Sequence, residues 1–560
     1  MFLALALALS AVAARLVWLQ GVRAPELRER ALRQRVTEAV LPAVRGSILA
    51  RDGEPLALSV HRSTIVADPR QIPDALLVAQ RLAPILKEEP GAVLPRLEGD
   101  RSFSYVARTV DDAVAQQVQS LHLPGIRLVP ETVRAYPSGT MAGAVLGIAG
   151  VDGQGLEGLE YGYDDVLRGR PGRVVEERDP RGRPIPQAPS HLEPSVPGRS
   201  LVLSIDSRLQ YEVESVLEAG VSRYQAKGGM AMVMDPHTGE ILALANAPGF
   251  SPADFSSVPV EGRRNRAVTD VFEPGSTNKV ITMAAALETG AVTRTTRIDV
   301  PDRLWVADEE FHDAHDHETE NWTIDDILRE SSNIGTIKVA QAVGGKKLDD
   351  FLDRFGYGRT TGLDFPGEAE GIVLPYEDWS GTSYATIPVG QGIATSAVQM
   401  TLVYATVAND GVRPVPSLVR GEQAGSGGKV EQRRPSDVPR RIISSETAQQ
   451  LRQMLQLVVD KGTGEEAAVP GYPVGGKTGT ARIPGPDGYS DAYVASFIGF
   501  APADDPQVVV SVFIDQPTST IYGGSTAAPL FSEITGFALR SMKVSPRPDH
   551  LAGSALTTPN

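Results

Sequence analysis

Residues 272–290 read FEPGSTNKVITMAAALETG and contain a turn followed by a helical pattern. The turn-forming EPG at 273–275 is followed by apolar residues at helical spacing. This predicts a helix that begins at Ser276 and ends near Gly290. Lys279 follows Ser276 by three residues, so the two side chains lie on one face of the helix, one turn apart. A serine and a lysine in this arrangement predict a nucleophile and its base.

The two side chains acquire this chemistry only in a suitable environment. A serine hydroxyl is a poor nucleophile until a base removes its proton, and a lysine amine can be that base when burial lowers its pKa. Backbone N–H groups at the start of a helix can also stabilise a developing oxyanion. A simpler interpretation is that Ser276 caps the helix and Lys279 is solvated. The S-x-x-K match alone favours the simpler interpretation, because it occurs by chance in most chains of this length.

A second motif is Ser331-Ser332-Asn333, which follows a predicted helix over 323–329. Its first serine can relay a proton, and Asn333 can hold Lys279 or a substrate amide. Taken singly, this motif is interpreted as a polar loop.

A third motif, GKTGT at 476–480, follows a turn and precedes strand-like sequence. A strand with Gly479 at its centre lets a substrate backbone approach closely. Lys477 and Thr478 can bind a carboxylate, and the N–H of Thr480 can complete an oxyanion hole. Taken singly, the motif is a glycine-rich turn. The three motifs together, in this order, favour one shared active site.

Strands flank a long region of helical patterns at 276–410. The predicted strands lie at 201–206, 230–234, 240–245, 493–500 and 508–514. The sequence DPHTG at 235–239 predicts a hairpin turn between the second and third of them. Strands at both ends with helices between them predict one mixed sheet covered by helices.

The first 22 residues, MFLALALALSAVAARLVWLQGV, are apolar over about one bilayer span. A cleaved signal peptide, with small residues at 11–13, and an uncleaved signal anchor are the two interpretations. The apolar run that resumes at 16–19 favours the anchor. Arg15 inside the span must snorkel or find a partner. A basic helix is predicted to follow over 24–40.

Composition narrows the classes of function. A chain of 560 residues is expected to form two or three folded units. The net charge of −15 argues against nucleic-acid binding, and the absence of cysteine excludes disulfides and thiolate metal sites. His312, His315 and His317 match no metal motif, so a solvated, flexible loop near the active-site cleft is expected. Neither a metal nor a cofactor is expected.

Several stretches resemble the class B penicillin-binding proteins, from about residue 2 to residue 540. S-x-x-K with S-D-N and K-T-G is typical of penicillin-binding proteins and class A β-lactamases, although the middle motif here is S-S-N. RGSILARDGEPLA at 45–57 and GLEGLEYGYDDVLRG at 155–169 are similar to family motifs of the membrane-proximal domain. IYGGSTAAPLF at 521–531 resembles the division-type, FtsI-like branch.

The resemblance implies an α+β protein of four parts. These are a transmembrane signal anchor at 1–22, a mixed pedestal domain of the dimerisation type at 23–195, a transpeptidase domain at 196–542 and a disordered tail at 543–560. The transpeptidase domain is expected to resemble serine β-lactamases, with an antiparallel sheet covered by helices.

The resemblance also implies a peptidoglycan D,D-transpeptidase that cross-links stem peptides through an acyl-enzyme at Ser276. Lys279 would be the general base, and Ser331 and Lys477 would pass the proton to the leaving D-alanine. Asn333 would orient Lys279 and the acyl chain.

Substrate binding is implied for the third motif. Thr478 and Thr480, with Gly479 between them, would hold the terminal carboxylate and the extended substrate backbone. The N–H groups of Ser276 and Thr480 would form the oxyanion hole.

The implied partners are the D-Ala-D-Ala ends of stem peptides, β-lactams, the cytoplasmic membrane, a SEDS-type (FtsW-like) glycosyltransferase and divisome membrane proteins. The catalytic domain would lie outside the cytoplasmic membrane, at the division septum. The alternatives are an elongation-type transpeptidase, a D,D-carboxypeptidase or β-lactamase, and a non-catalytic β-lactam sensor. Efficient deacylation needs a placed base for water, and no class A-like acidic loop motif is found. The complete trio of motifs argues against a non-catalytic protein.

Overall fold

The computed structural model describes residues 1–177, 185, 191–425, 427–433, 437–485 and 488–547. The predicted disordered tail at 543–560 therefore lies mostly outside the described residues. Contacts within the chain define two compact units. The first unit comprises Met1–Gly46 and Asp165–Arg199, and the second comprises Ser47–Asp164 and Ser200–Asn560.

The helices of the described residues are numbered in chain order. They are α1 (Phe2–Val17), α2 (Ala24–Arg35), α3 (Ala75–Leu86), α4 (Pro90–Leu97), α5 (Asp112–Ser120), α6 (Gly143–Leu146), α7 (Gly158–Gly162), α8 (Asp164–Leu167), α9 (Ser207–Arg223), α10 (Val260–Arg263), α11 (Arg266–Thr269), α12 (Lys279–Glu288), α13 (Ile324–Arg329), α14 (Asn333–Val343), α15 (Gly345–Phe355), α16 (Ser383–Thr386), α17 (Ala397–Ala408), α18 (Ser445–Lys461) and α19 (Ala527–Ser541).

The strands are numbered in the same way. They are β1 (Val36–Leu41), β2 (Ile48–Leu49), β3 (Pro55–Ala67), β4 (Ser104–Val110), β5 (Ile126–Ala135), β6 (Gly172–Glu177), β7 (His191–Glu193), β8 (Ser200–Leu203), β9 (Gly228–Met234), β10 (Ile241–Ala247), β11 (Arg297–Val300), β12 (Arg303–Val306), β13 (Glu309–His312), β14 (Glu320–Thr323), β15 (Val412–Arg413), β16 (Val419–Gln423), β17 (Val430–Gln432), β18 (Arg440–Arg441), β19 (Gly475–Gly485), β20 (Gly488–Ala501) and β21 (Val508–Asp515).

The first unit begins with the apolar helix that the sequence predicts. Phe2–Val22 has a mean hydropathy of 2.1, and among the described residues it is the one helix long and apolar enough to cross a membrane. The Arg15 guanidinium lies 4.5 Å from the centre of the Trp18 ring. A cation above an aromatic face gives this charge a partner within the helix.

The predicted helix over 24–40 is only partly correct. Helix α2 ends at Arg35, and strand β1 begins at Val36. The β-branched residues that follow, in the sequence VTEAV, favour extended backbone over helix. Strand β1 pairs antiparallel with β6, and β6 pairs with β7, so the first unit has a small sheet of its own.

The second unit contains a seven-stranded sheet that joins two distant parts of the sequence. Its strand order is β17-β16-β8-β2-β3-β4, and β5 pairs with β3. Strands β2 and β3 form a hairpin at Asp52-Gly53, and Gly53 has a φ of 88° that favours glycine. Ile48 of β2 pairs in parallel with Leu201 of β8. This parallel pair makes the sheet continuous.

A small core covers the far end of this sheet. Helix α3 begins after Asp74, whose carboxylate accepts a hydrogen bond from the Leu77 N–H at 3.0 Å. Its apolar face buries Val78 and Leu82 against Ile65 of β3. The cap and the apolar spacing explain why a helix forms at this position.

The sheet that carries the candidate site is separate and antiparallel. Its strand order is β10-β9-β21-β20-β19. Every residue of β9 and β21 is buried, so helices cover both faces of the centre. Helices α9 and α19 share a core with these strands, and α17 also packs on β9 and β21. The predicted strands at 230–234, 240–245, 493–500 and 508–514 lie in this sheet, and the antiparallel sheet covered by helices that the family resemblance implies is confirmed. The predicted strand at 201–206 forms β8 of the seven-stranded sheet, so the prediction of one mixed sheet is wrong.

The predicted helical region at 276–410 is interrupted by two small hairpin-like pairs. Strand β11 pairs with β14, and β12 pairs with β13. These strands are only four residues long and mostly exposed, so they lack a strong apolar alternation in the sequence.

A buried ion pair lies in the second unit. Arg134 Nε donates to Glu160 Oε1 at 2.7 Å, and their side chains are 5% and 0% exposed. By contrast, Arg173 and Glu193 of the first unit pair at 2.8 Å with side chains 51% and 47% exposed. Removing one partner from a buried pair leaves an uncompensated charge away from water, whereas an exposed pair is screened.

We expect Glu160→Ala to lower the free energy of unfolding by about 3–5 kcal/mol, because the Arg134 guanidinium is left buried without that carboxylate. Denaturant unfolding of the detergent-solubilised chain measures this. The matched control, Glu193→Ala, is expected to leave the unfolding midpoint unchanged. Equal losses in the two variants would contradict the role given to burial.

Candidate active site

Ser276 lies in a single 3-10 turn, Gly275–Asn278, that leads into α12. The predicted α-helix therefore begins three residues later than expected. The Thr277 hydroxyl donates to the Pro274 carbonyl at 2.7 Å, and a side chain that bonds its own backbone competes with regular helix at this position. Ser276 itself is half-buried, while α12 is buried from Lys279 through Ala286.

Close backbone packing holds this turn in place. The Gly275 N–H donates to the Gly390 carbonyl at 2.9 Å, and the two glycines have φ values of 54° and 84°. A Cβ on Gly390 would lie 2.2 Å from the Gly275 carbonyl oxygen. The Tyr404 hydroxyl donates to the Thr277 carbonyl at 3.0 Å from within α17. The nucleophile candidate is thus fixed by backbone contacts that allow no side chain between the two segments.

The Lys279 side chain is fully buried and reaches the second motif. Its amine donates to the Ser331 carbonyl and to Asn333 Oδ1 at 2.8 Å, and it lies a long 3.4 Å from Ser331 Oγ. Ser276 Oγ is not among these acceptors. Burial lowers the pKa of Lys279 to about 7, and the Asp313 carboxylate opposes this shift.

The contacts fit a neutral amine at this position. A neutral lysine has two N–H donors and a lone pair. The two short contacts, to the Ser331 carbonyl and Asn333 Oδ1, use both donors. The lone pair then stays available for a proton from the neighbouring turn, which is what a general base needs.

Lys477 approaches the same serine from β19. Its ammonium donates to Ser331 Oγ at 2.9 Å and to Thr478 Oγ1 at 3.2 Å. Burial, and then the proximity of Lys279, lower the pKa of Lys477 well below its usual range. The structure thus brings three of the predicted residues together around one hydroxyl, that of Ser331.

Ser331 occupies the sharp turn between α13 and α14, with a φ of 60° that is uncommon for serine. Ser332 caps α14, because its hydroxyl oxygen accepts the Gly335 N–H at 2.8 Å. The turn presents Ser331 and Asn333 on the side of Lys279.

Asp313 is a site residue that sequence reasoning missed. Its carboxylate accepts from Ser332 Oγ at 2.7 Å, from the Ile334 N–H at 3.0 Å and from the Asn333 N–H. Asp313 is buried, and it follows β13 in the stretch that the sequence predicts to be a solvated, flexible loop. That expectation is wrong for Asp313, because its charge is needed at the start of α14.

The three histidines of the same stretch do not form a cluster. His312 and His315 are exposed, and His317 lies against Asp313 and the Trp322 ring. Among the described residues, no group of three or more His, Cys, Asp or Glu side chains is placed to hold a metal ion.

Strand β19 runs beside the turn Gly275–Asn278, called the serine turn below because it contains Ser276. The strand also contains the third motif. A Cβ on Gly479 would lie 2.3 Å from Ser496 Oγ and 3.0 Å from the Thr277 methyl group, so only glycine fits there. Thr480 Oγ1 accepts the Gly523 N–H at 3.2 Å. The Gly523 segment therefore lies against the strand, a contact that no local sequence pattern predicts.

Thr478 has a partner on a neighbouring segment. Its hydroxyl lies 2.9 Å from that of Thr463, which is exposed beyond α18. Hydroxyl and ammonium donors at Thr463, Thr478 and Lys477 lie side by side, as recognition of a carboxylate requires.

Glu273 is another buried acid that sequence reasoning missed. Its carboxylate accepts from the Gly392 N–H at 2.8 Å and from the Tyr489 hydroxyl at 2.9 and 3.1 Å. Burial raises the pKa of Glu273 despite these hydrogen bonds. The acid ties the serine turn to the loop after α16 and to the start of β20.

Comparison with known proteins agrees with this geometry. The family model described as "Penicillin binding protein transpeptidase domain" matches residues 229–536, and "Penicillin-binding Protein dimerisation domain" matches residues 40–203. Penicillin-binding protein PbpB of Mycobacterium tuberculosis is 36% identical over 96% of this chain and 84% of its own length. Peptidoglycan D,D-transpeptidase FtsI of Escherichia coli K12 is 35% identical over 96% of this chain and 91% of its own.

A solved structure is also similar. Penicillin binding protein 3 from Mycobacterium tuberculosis, complexed with aztreonam, superposes with a TM-score of 0.72 and 31% identity, and the match covers 92% of this chain and 99% of that chain.

The low pKa of Lys279 has a consequence for stability. Between about pH 7 and the pKa of an unfolded lysine, the unfolded chain binds a proton at this residue that the folded chain does not. Stability therefore rises with pH across this window, by up to about 1.4 kcal/mol per pH unit for one proton.

We expect Lys279→Met to make this slope shallower, measured by denaturant unfolding at several pH values from 7 to 9.5. Because Lys477 titrates beside Lys279, part of the slope is expected to stay. Lys346, whose side chain is 66% exposed, provides the matched control, and Lys346→Met should keep the full slope. A slope unchanged by Lys279→Met would show that the amine is protonated in the folded chain.

Proposed function

This chain belongs to the class B penicillin-binding protein family, and we propose that it is a peptidoglycan D,D-transpeptidase that cross-links stem peptides through an acyl-enzyme at Ser276. The observation that carries the proposal is the burial of two lysine amines, Lys279 and Lys477, against the Ser331 hydroxyl beside the serine turn. Buried amines with lowered pKa values can exchange protons near neutral pH, which solvated lysines cannot.

In the first step, Ser276 Oγ attacks the carbonyl carbon of the penultimate D-alanine, and the neutral Lys279 amine takes the hydroxyl proton. The oxyanion that forms is stabilised by the backbone N–H groups of Ser276 and Thr480. These roles agree with the lowered pKa of Lys279 and with the fixed conformation of the turn.

In the second step, the bond to the terminal D-alanine breaks, and its nitrogen must receive a proton. Ser331 Oγ accepts a hydrogen bond from Lys477 at 2.9 Å, so its own O–H is available to donate to the leaving amine. Lys477 then supplies a proton to Ser331. The amine of a second stem peptide then attacks the carbonyl carbon of the Ser276 ester, and the amide cross-link forms as the ester C–O bond breaks. The Lys477 amine, which has given up a proton, takes the proton that the attacking amine loses, and the Lys279 ammonium returns its proton to Ser276 Oγ.

Recognition of the donor peptide falls to β19. Lys477 and Thr478 would bind the terminal carboxylate, and Gly479 and Thr480 would accept an extended substrate backbone alongside the strand. Asn333 would orient Lys279 and the acyl chain, a role supported by its 2.8 Å contact with the amine.

The proposal extends to the whole chain. We propose a division into an anchor at 1–22, a pedestal at 23–195, a transpeptidase domain at 196–542 and a tail at 543–560, which the ranges of the two family models support. The apolar helix at the N-terminus supports a single-pass anchor, with the catalytic domain outside the cytoplasmic membrane. A SEDS-type (FtsW-like) glycosyltransferase and divisome proteins are the proposed partners, at the division septum.

We expect the wild-type chain to be labelled covalently by fluorescent penicillin, because opening of the β-lactam ring acylates the same serine. Ser276→Ala should abolish labelling while the protein keeps its thermal unfolding midpoint, and labelling is read on denaturing gels. Ser331→Ala should slow labelling without abolishing it. Persistent labelling of Ser276→Ala would refute the assigned nucleophile.

The fate of the acyl-enzyme separates the transpeptidase from a hydrolase. A stable adduct is expected, since no base is proposed to activate water. Rapid release of penicilloate would instead identify a β-lactamase or a carboxypeptidase.

Localisation tests the proposed role in division. We expect a functional fluorescent fusion of the full chain to concentrate in a band at midcell, because the proposed partners assemble at the septum. Fluorescence microscopy of dividing cells measures this. Uniform signal along the lateral wall would favour the elongation-type alternative.

A further inference from the structure

His317 stands out among the groups that the proposed mechanism does not use. It lies between β13 and β14, and its side chain is only 18% exposed. The ring packs against Trp322, with 5.0 Å between ring centres. Two neighbours of the same stretch, His312 and His315, are exposed.

Both ring nitrogens of His317 face acceptors. Nε2 lies 3.1 Å from Asp313 Oδ2, and Nδ1 lies 2.6 Å from the Glu318 carbonyl oxygen. A carbonyl cannot donate, and an ionised carboxylate cannot donate either. A neutral imidazole carries one N–H and can satisfy only one of these contacts, whereas an imidazolium satisfies both.

The acceptor of one of these bonds is the residue that holds the second motif. Asp313 Oδ2 is shared between His317 Nε2 and the Ser332 hydroxyl, while Oδ1 receives the Asn333 and Ile334 N–H groups. The orientation of this carboxylate therefore depends on the donor at His317 as well as on the start of α14.

The charges around His317 favour the protonated ring. Burial alone would lower the pKa of His317, but the hydrogen bonds to Glu318 and Asp313, and the negative charges of Asp313 and Asp302, raise it above its usual value. Arg303 lies within 4 Å of Asp302 and Asp316, and Lys279 faces Asp313 from α12.

We propose that His317 is a positioning residue, which as an imidazolium fixes the Asp313 carboxylate and through it the turn that presents Ser331 and Asn333 to Lys279. The role is indirect, since His317 does not touch Ser276 or Lys279 and acts only through Asp313. The kinetic consequence of this inference rests on the proposed acylation of Ser276. The protonation state of His317 rests only on the hydrogen bonds of its ring.

The kinetic consequence is a second ionisation in the rate of acylation. The rate should rise with pH as Lys279 loses its proton near pH 7. Loss of the proton from His317 breaks one of its two contacts, so it should lower the rate on the alkaline side in addition to the loss that titration of Lys477 causes.

The test measures the second-order rate constant for labelling by fluorescent penicillin from pH 5.5 to 9.5, with the detergent-solubilised full chain. We expect His317→Ala to lower the maximal rate about tenfold and to make the fall of the rate at alkaline pH shallower. His317→Gln, which keeps one donor but does not titrate, should recover part of the rate and show the same shallower fall. His315→Ala, in the same stretch, is the matched control and should keep the wild-type profile.

A double-mutant cycle shows whether His317 acts through Asp313. Asp313→Asn and the double variant Asp313→Asn/His317→Ala should label at the same rate, because the second change has nothing left to position. Additive losses would overturn the proposed route. Profiles of the His317 variants that superpose on that of His315→Ala would overturn the role itself.

The protonation state has a readout that needs no acylation. In the wild-type chain labelled with ¹³C-histidine, the resonance missing from His317→Ala identifies this ring, and its pKa should lie above the ordinary value for histidine and shift down in Asp313→Asn. A pKa at or below the ordinary value would overturn the inference. A wild-type chain that shows this titration but no penicillin labelling would refute the proposed function and leave the imidazolium assignment standing.

Discussion

Two lysine amines buried within reach of one serine hydroxyl are the constraint on which the rest of the site depends. Lys279 and Lys477 are both fully buried, and their amines lie 3.4 and 2.9 Å from Ser331 Oγ. Two charged ammonium groups so close together and away from water would be costly, so at least one amine must give up its proton. Burial lowers both pKa values, that of Lys279 to about 7, and the proximity of Lys279 lowers that of Lys477 further.

Such an arrangement holds only if the chain around it is rigid before substrate arrives. The serine turn is fixed by the glycine contact at 275 and 390, and β19 is fixed by ten paired positions along β20. The one acid facing this pair of lysines, within the part of the chain that the structure describes, is Asp313, which compensates part of the positive charge while it holds the second motif. Rigid backbone and a single buried carboxylate thus set the protonation of the whole site.

Local patterns were enough to select the residues that the structure brings together at the candidate site. Ser276 and Lys279 are one helical turn apart, and the second and third motifs each lie within five consecutive residues, so their members are neighbours in any fold that keeps the local backbone. Asp313, Glu273 and Thr463 could not be predicted in this way. Their contacts are made between segments that meet only after folding. No local sequence pattern distinguishes Asp313 or Glu273 from the other acidic residues of the chain, or Thr463 from the other threonines.

The same reasoning explains the errors in secondary structure. The strands with alternating or continuous apolar residues were predicted correctly, because their side chains enter a core. Strands β11 to β14 and strand β1, which follows α2, were missed. Strands β11 to β14 are only four residues long and mostly exposed, and β1 pairs with β6, which is distant in the sequence. His317 is a different case. Its spacing from His312 and His315 matches no metal motif, yet in the folded chain its ring contacts Asp313, which holds the second motif.

The continuous seven-stranded sheet also bears on how this chain can exchange segments with its relatives. Ile48 and Leu201 pair as neighbours although about 150 residues separate them. A recombination point anywhere between Ile48 and Leu201 would place β2 from one parent beside β8 from the other. The sheet would then be continuous only if the two strands can still pair with each other. Inheritance of the membrane-proximal segment is thereby tied to inheritance of the first strand of the catalytic segment. Any single boundary drawn between Ile48 and Leu201 along the sequence therefore divides the strands of this sheet into two groups.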